Sequence, residues 1–165
     1  MGLLLGSLLD SLVNVPIATL GRGGPVDAGA SSNGRTVVAV HLGGALIPAL
    51  VSMYLLFPHG LFGTGAIAVA AVAGISHALA PPLPGKGIAM PVLVPPLAAA
   101  VVALLLAPDA APALAYAVGS LGSLLGADVA NLHRIRELGA PAVSIGGAGT
   151  HDAVFLTGIL AVLLA

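Results

Sequence analysis

The sequence predicts an all-α, multi-pass membrane protein, and three observations carry that reading. Apolar residues make up 58% of the chain and charged residues only 7%, against about 25% charged in an ordinary soluble domain. The apolar residues gather into six runs, each close to the roughly 20 residues that cross a bilayer. All five Lys and Arg residues lie in alternate connections between those runs. No ordinary water-facing surface can be built from this composition, so the lipid bilayer is the expected partner of most of it.

The runs are predicted as helices at about 1–20, 36–57, 63–80, 88–107, 113–132 and 142–165, within one domain covering residues 1–165. The first has no Lys or Arg ahead of it and no clear small-residue cleavage site behind it, so it reads as a retained span rather than a removed signal. A Gly/Ser/Asn-rich loop, Gly21 to Arg35, separates it from the second, which contains Pro48. Pro58-His59-Gly60 turns the chain into the third. That span ends at Pro81-Pro82-Leu83-Pro84-Gly85-Lys86-Gly87. The fourth is interrupted by Pro91, Pro95 and Pro96, and Pro108-Asp109 turns it into the fifth.

Charge placement then orients the bundle. Arg22 and Arg35 fall in the first connection, Lys86 in the third, and Arg134 and Arg136 in the fifth, all on one face. The positive-inside rule makes that face cytoplasmic and puts both termini outside, in a cell inner membrane. A net charge of −1 with no basic block argues against nucleic acid as a partner. The absence of Cys removes thiol chemistry and Cys-based metal sites. No cofactor motif is present, and oligomeric state is left open, a homo-oligomer included.

Pro and Gly inside the spans have two readings. One is close packing through small residues, as at Gly119, Gly122 and Gly126. The other is a set of broken helices around a polar cavity, as transporters use. An internal echo accompanies them: Gly6-Ser7-Leu8-Leu9-Asp10 resembles Gly122-Ser123-Leu124-Leu125, and Gly43-Gly44-Ala45 resembles Gly146-Gly147-Ala148.

The ionisable residues within the spans are Asp10, His41, His77, Asp128, His151 and Asp152. Such residues are costly in a bilayer and are candidates for function by default. Asp10 and Asn14 share a helix face if the first span is helical. His41 and His77 are either hydrogen-bonded neutral histidines or members of a metal site, although no metal-ligand spacing such as H-E-x-x-H supports the latter. Asp128 lies roughly 6 Å inside the cytoplasmic boundary, and Asp152 roughly 15 Å inside it if the last helix is regular from Ala142. Gly146, Gly147 and Gly149 make that regular start doubtful, and a start near Ala148 brings Asp152 level with Asp128. Two facing carboxyls would share one proton and could hydrolyse a peptide bond without a metal. Two protonated acids, each bonded to a neighbouring carbonyl, are the plainer alternative.

Several stretches carry a resemblance. Gly126 to Leu132, Ser144 to Ala165, His41 to Leu56 and Pro84-Gly85-Lys86-Gly87-Ile88 are similar to a prokaryotic membrane family catalogued as domain of unknown function 1614. That name carries no activity. Separately, Gly147-Ala148-Gly149-Thr150-His151-Asp152 resembles the GxGD signature of presenilin-like intramembrane aspartyl proteases, with Thr150-His151 standing between the GxG and the Asp. That resemblance implies a catalytic pair, Asp128 and Asp152, on successive helices joined by a cytoplasmic loop. A membrane-embedded peptide would be the substrate, approached by Gly147, Gly149, Thr150 and Asn131. A proton-coupled carrier using the same acids is the competing function, and a non-catalytic assembly subunit is the third.

Overall fold

A computed structural model of the chain describes residues 14–21, 35–83, 87–88, 90–133, 142–147 and 153–165. It is mostly helical, but it is not all-α. Two strands open it, β1 (Asn14–Gly21) and β2 (Arg35–His41). Helix α1 follows directly, as a π-helical turn over Leu42–Leu46 and then a regular helix over Ile47–Leu56. Next come α2 (Phe62–Leu79), the two-residue strands β3 (Pro82–Leu83) and β4 (Gly87–Ile88), and α3 (Val94–Leu106). Helix α4 occupies Pro108–Val129: a 3-10 turn over Pro108–Ala110, an α-helix over Ala111–Ser123 and a π-helical end over Leu124–Val129. Strand β5 (Ala142–Ile145) and helix α5 (Ala153–Leu164) complete the chain.

The strands correct three predicted spans. The described part of the first span, from Asn14 on, is strand, and so are the opening residues of the second and the sixth. Run length alone pointed to helix, whereas the residues in question are those that fit a pleated surface: Val15, Ile17 and Thr19 in β1, and Thr36, Val37, Val38 and Val40 in β2. Asn14 therefore does not share a helix face with Asp10, which lies outside the described residues. The sheet order is β1-β2-β5, with β1 antiparallel and β5 parallel to β2. Pro16 sits on the edge strand, and the β1–β2 register shifts between Pro16 and Ala18. Both facts follow from a residue that cannot donate to a ladder.

Helices α2 and α4 are long and apolar enough to cross a membrane, and they occupy the predicted third and fifth spans. Helices α1, α3 and α5 are shorter, because β2, an irregular stretch and β5 replace the starts of the predicted runs. Among the described residues, two helices rather than six have the length and apolar character of a full span.

Helix α4 is the centre. Within its most apolar stretch 67% of the residues are buried, against 22% for α2. Leu114, Ala115, Ala117 and Val118 form one core with Ala68 and Val72 of α2, Ala99 and Ala103 of α3, and Ala161 of α5. Small residues make the approach close. A Cβ on Gly126 would collide with the Ala73 backbone of α2. The outer faces are apolar too: Tyr54 of α1 and Phe57 just past it, Ile67 of α2, Leu105 of α3 and Leu163 of α5 are all exposed. An apolar surface of that extent marks a membrane or a protein partner.

A second, smaller core joins the sheet to the bundle. Val38 of β2 and Ile145 of β5 pack with Ala45 at the start of α1, Leu124 near the end of α4 and Val154 at the start of α5. The sheet therefore caps the end of the bundle where α4 finishes and α1 and α5 begin. That end carries Asp128.

Candidate functional site

The site is built by three backbone irregularities that meet. The first is the π-helical end of α4, where the Ala130 N–H reaches back to the Leu125 carbonyl at 2.8 Å. The second is the π-helical turn that opens α1. The third is the turn after β5, where Gly146 and Gly147 have φ of 85° and 69°, a backbone region that only glycine enters without strain. π-helix accounts for well under 1% of residues in globular proteins and concentrates at functional positions. Here both π segments touch the same residue.

That residue is Gly146. Its N–H donates to Asp128 Oδ2 at 2.7 Å, so the turn after β5 is pinned to the end of α4. On its other side a Cβ would lie 2.6 Å from Ala45 N and 2.7 Å from the Gly44 carbonyl carbon. Gly44-Ala45 and Gly146, from the two stretches that echo each other in sequence, are thus neighbours in space. Each follows one strand of the parallel pair β2–β5. His41 completes the arrangement: its side chain is buried at the end of β2, and Nδ1 accepts from the Gly44 N–H at 2.9 Å. It caps α1 much as Asn or Ser caps an ordinary helix.

Two further contacts hold the neighbourhood. Ser144 Oγ donates to Asn14 Oδ1 at 2.6 Å, tying β5 to β1 across the end of β2. Buried Asn131, just beyond α4, donates Nδ2 to the Ala127 carbonyl at 2.9 Å and to the Gly126 and Ala80 carbonyls at 3.4 and 3.5 Å. Its amide locks the end of α4 against the end of α2.

Of the residues the sequence nominated, His41, Asp128, Asn131 and Gly147 are described at one end of the bundle, and His77 is exposed in the last turn of α2; Gly147 makes the turn bond to the Ser144 carbonyl at 3.3 Å. Asp152, Gly149, Thr150, His151 and Asp10 lie outside the described residues. The last helix is not regular from Ala142: strand, glycine turn and then α5 from Ala153 replace that start. His41 as a cap was legible only as a polar residue just ahead of a Gly-Gly and a helical run, and Gly146 as a donor to Asp128 had no sequence signal.

A family profile described as "Protein of unknown function (DUF1614)" matches residues 8–164. The chain belongs to that family. The match takes in both strand–glycine–helix units of this DUF1614 chain and the whole of α4 between them. No curated protein and no solved structure matches the chain. In this DUF1614 chain the acid, its backbone donor and the two π segments make up the candidate site.

Proposed function

We propose that this chain is a multi-pass inner-membrane protein that works as an intramembrane aspartyl protease, with Asp128 and Asp152 as its pair of acids. The observation that carries the reading is the Gly146 N–H bond to Asp128. It fastens the Gly-rich stretch to the end of α4, and Asp152 follows Gly146 by six residues in the chain, immediately ahead of α5. The irregular start that such a pair requires is supported by β5 and the glycine turn, which take up residues a regular helix would have used.

The chemistry asked of the pair is simple. One carboxylate takes a proton from a water molecule as that water's oxygen bonds to the peptide carbonyl carbon. The other carboxyl gives its proton to the carbonyl oxygen. The tetrahedral intermediate then collapses, its C–N bond breaks, and the leaving nitrogen collects a proton from the pair. Gly147 and Gly149 would admit a substrate backbone, with Thr150 and Asn131 alongside. The connections after α2 and α4 carry Lys86, Arg134 and Arg136 and leave the bundle at the sheet end. Asymmetry of that kind makes the sheet end cytoplasmic.

A second reading, a proton-coupled carrier, draws on a different observation: Ser76 of α2, Ser123 of α4 and Asn131 just beyond it each keep a buried side-chain oxygen without a hydrogen-bond partner. The two readings separate in one experiment. The purified chain is reconstituted in vesicles with a mixture of synthetic single-span peptides, and the products are read by mass spectrometry. A protease loses cleavage with Asp128→Asn and Asp152→Asn alike. Absence of cleavage in the unsubstituted chain, or survival of cleavage in either variant, would overturn the pair. Asp128-dependent proton uptake in the same vesicles would then favour the carrier.

A further inference from the structure

The chain has only two Tyr and three Phe, and no Trp. Three of these rings, Tyr54, Phe57 and Phe62, sit where α1 ends and α2 begins. None of the three belongs to either core. Phe57 is 74% exposed, Tyr54 71% and Phe62 42%, although rings of this size carry much of the apolar area a protein normally buries. Phe57 and Phe62 pack on each other instead, edge to face, with centroids 6.2 Å apart. The turn between them is hydrogen-bonded: the Gly60 N–H donates to the Phe57 carbonyl and the Leu61 N–H to the Leu56 carbonyl, each at 3.2 Å. Leu61 packs against the main core beside Leu56. The rings are thus presented outward by a turn that the bundle holds in place.

The patch lies at the end of the bundle away from the sheet. Leu56 and Leu61 share the main core with Ala107 and Ala111, so the α1–α2 and α3–α4 connections come together there. Those connections carry no Lys or Arg, and their ionisable groups are His59 and Asp109, both exposed. In the other direction the patch is continuous with the exposed apolar faces of α1 and α2, through Leu50, Met53 and Ile67. A polar turn, then rings, then aliphatic side chains is the order in which a bilayer offers headgroups, boundary and hydrocarbon.

We propose that Tyr54, Phe57 and Phe62 anchor the chain at the boundary between headgroups and acyl chains of the outer leaflet. The anchor rests on the multi-pass reading and is independent of the Asp128–Asp152 pair. Aromatic side chains concentrate at that depth, where a ring is covered by lipid while neighbouring polar groups stay wet. The anchor also fixes the depth of the candidate site. Helix α2 runs 18 residues from Phe62 to Leu79, about 27 Å long, close to the roughly 30 Å of the hydrocarbon core. With Phe62 at the outer boundary, its last turn reaches the inner one. There the Ala80 carbonyl accepts from Asn131, three residues after Asp128. Asp128 therefore lies at the cytoplasmic boundary rather than in the middle of the bilayer, and water reaches it from the sheet end.

The absence of Trp makes depth directly measurable. Phe57→Trp puts a single fluorophore in the patch, and Phe62→Trp replaces it if that variant fails to fold. Ala70→Trp puts one on the exposed face of α2, eight residues past Phe62 and about 12 Å deeper. The full chain is reconstituted in phosphatidylcholine vesicles whose acyl chains carry bromine either close to the headgroup or close to the terminal methyl. We expect the shallow bromine to quench Phe57→Trp at least about twofold more than the deep one, and the order to reverse for Ala70→Trp. Quenching of Ala70→Trp alone would overturn the anchor, leaving the patch outside the bilayer and open to a protein partner. Deeper quenching at Phe57→Trp than at Ala70→Trp would overturn the depth assigned to Asp128. No quenching at either position would remove the bilayer and the anchor together. Cleavage plays no part in the readout, so failure of the protease reading cannot be mistaken for failure of this one.

Discussion

Gly146 and Asp128 are eighteen residues apart in sequence and are joined by one hydrogen bond, backbone N–H to Oδ2, at 2.7 Å. The carboxyl is a structural acceptor before it is anything else. It satisfies a donor in a turn that is itself buried against Gly44 and Ala45. Structural and chemical uses of Asp128 can therefore be separated by substitution. Asp128→Asn keeps a carbonyl oxygen for the Gly146 N–H, whereas Asp128→Ala leaves that donor unsatisfied. An unsatisfied buried donor costs about 1–3 kcal/mol, so the Ala variant should unfold at lower temperature than the Asn variant in a common detergent. Equal melting temperatures would show that the bond does not hold the turn.

Gly146 itself should tolerate no side chain. Its φ of 85° strains any other residue, and a Cβ would meet Ala45 and Gly44 at 2.6–2.7 Å. Gly60 provides the control, with φ of 61° and nothing within 4 Å of the added atom. Gly60→Ala should cost only the backbone strain, about 1–2 kcal/mol. Gly146→Ala should cost about 3 kcal/mol or more, because overpacking adds to the strain. Thermal unfolding of the two variants side by side checks the difference.

The same residues show what could be read from sequence. Helices α2 and α4 were legible because apolar length is nearly sufficient evidence for them, and the predicted 63–80 and 113–132 overlap closely with Phe62–Leu79 and Pro108–Val129. The strands were not, because a run of Thr36-Val37-Val38-Ala39-Val40 is as hydrophobic as a span and differs from one only in its β-branched content. Gly146 and Gly147 did signal a break in the last helix. What no local pattern held was the partner: the Gly146–Asp128 bond depends on β5 pairing in parallel with β2, across about a hundred residues. Gly44-Ala45 and Gly146, drawn from two stretches that looked like an echo, proved to be neighbours.

His41 should behave as a cap. Its Nδ1 accepts from the Gly44 N–H, and that bond sets the first turn of α1, on which Gly146 rests. His41→Ala removes the acceptor and should cost about 0.5–2 kcal/mol, the range for losing a helix cap. His41→Asn retains a short side-chain acceptor at the same position and should recover much of that loss. Failure of Asn to outperform Ala in thermal unfolding would show that His41 contributes through packing instead.

The apposition of α2 and α4 gives the last prediction. Gly126 meets the Ala73 backbone, and Gly122 meets Val72, with a Cβ there only 2.8 Å from Cγ1. Backbone cannot yield as a side chain can, so Gly126→Ala must push the two helices apart at the turn that precedes Asp128. Overpacking of this kind costs about 1–3 kcal/mol and should be larger at Gly126 than at Gly122, where Val72 has some freedom to move. Gly74 is the contrasting case on α2, with nothing within 4 Å. There an added methyl gains helix propensity and meets no atoms, so Gly74→Ala should be neutral or stabilising by up to about 1 kcal/mol. The order of melting temperatures should therefore run Gly74→Ala at or above the unsubstituted chain, then Gly122→Ala, then Gly126→Ala. A Gly126→Ala variant as stable as Gly74→Ala would mean that α2 and α4 are not in backbone contact beside Asp128. The π-helical end of α4 would then lose the neighbour that holds it in place.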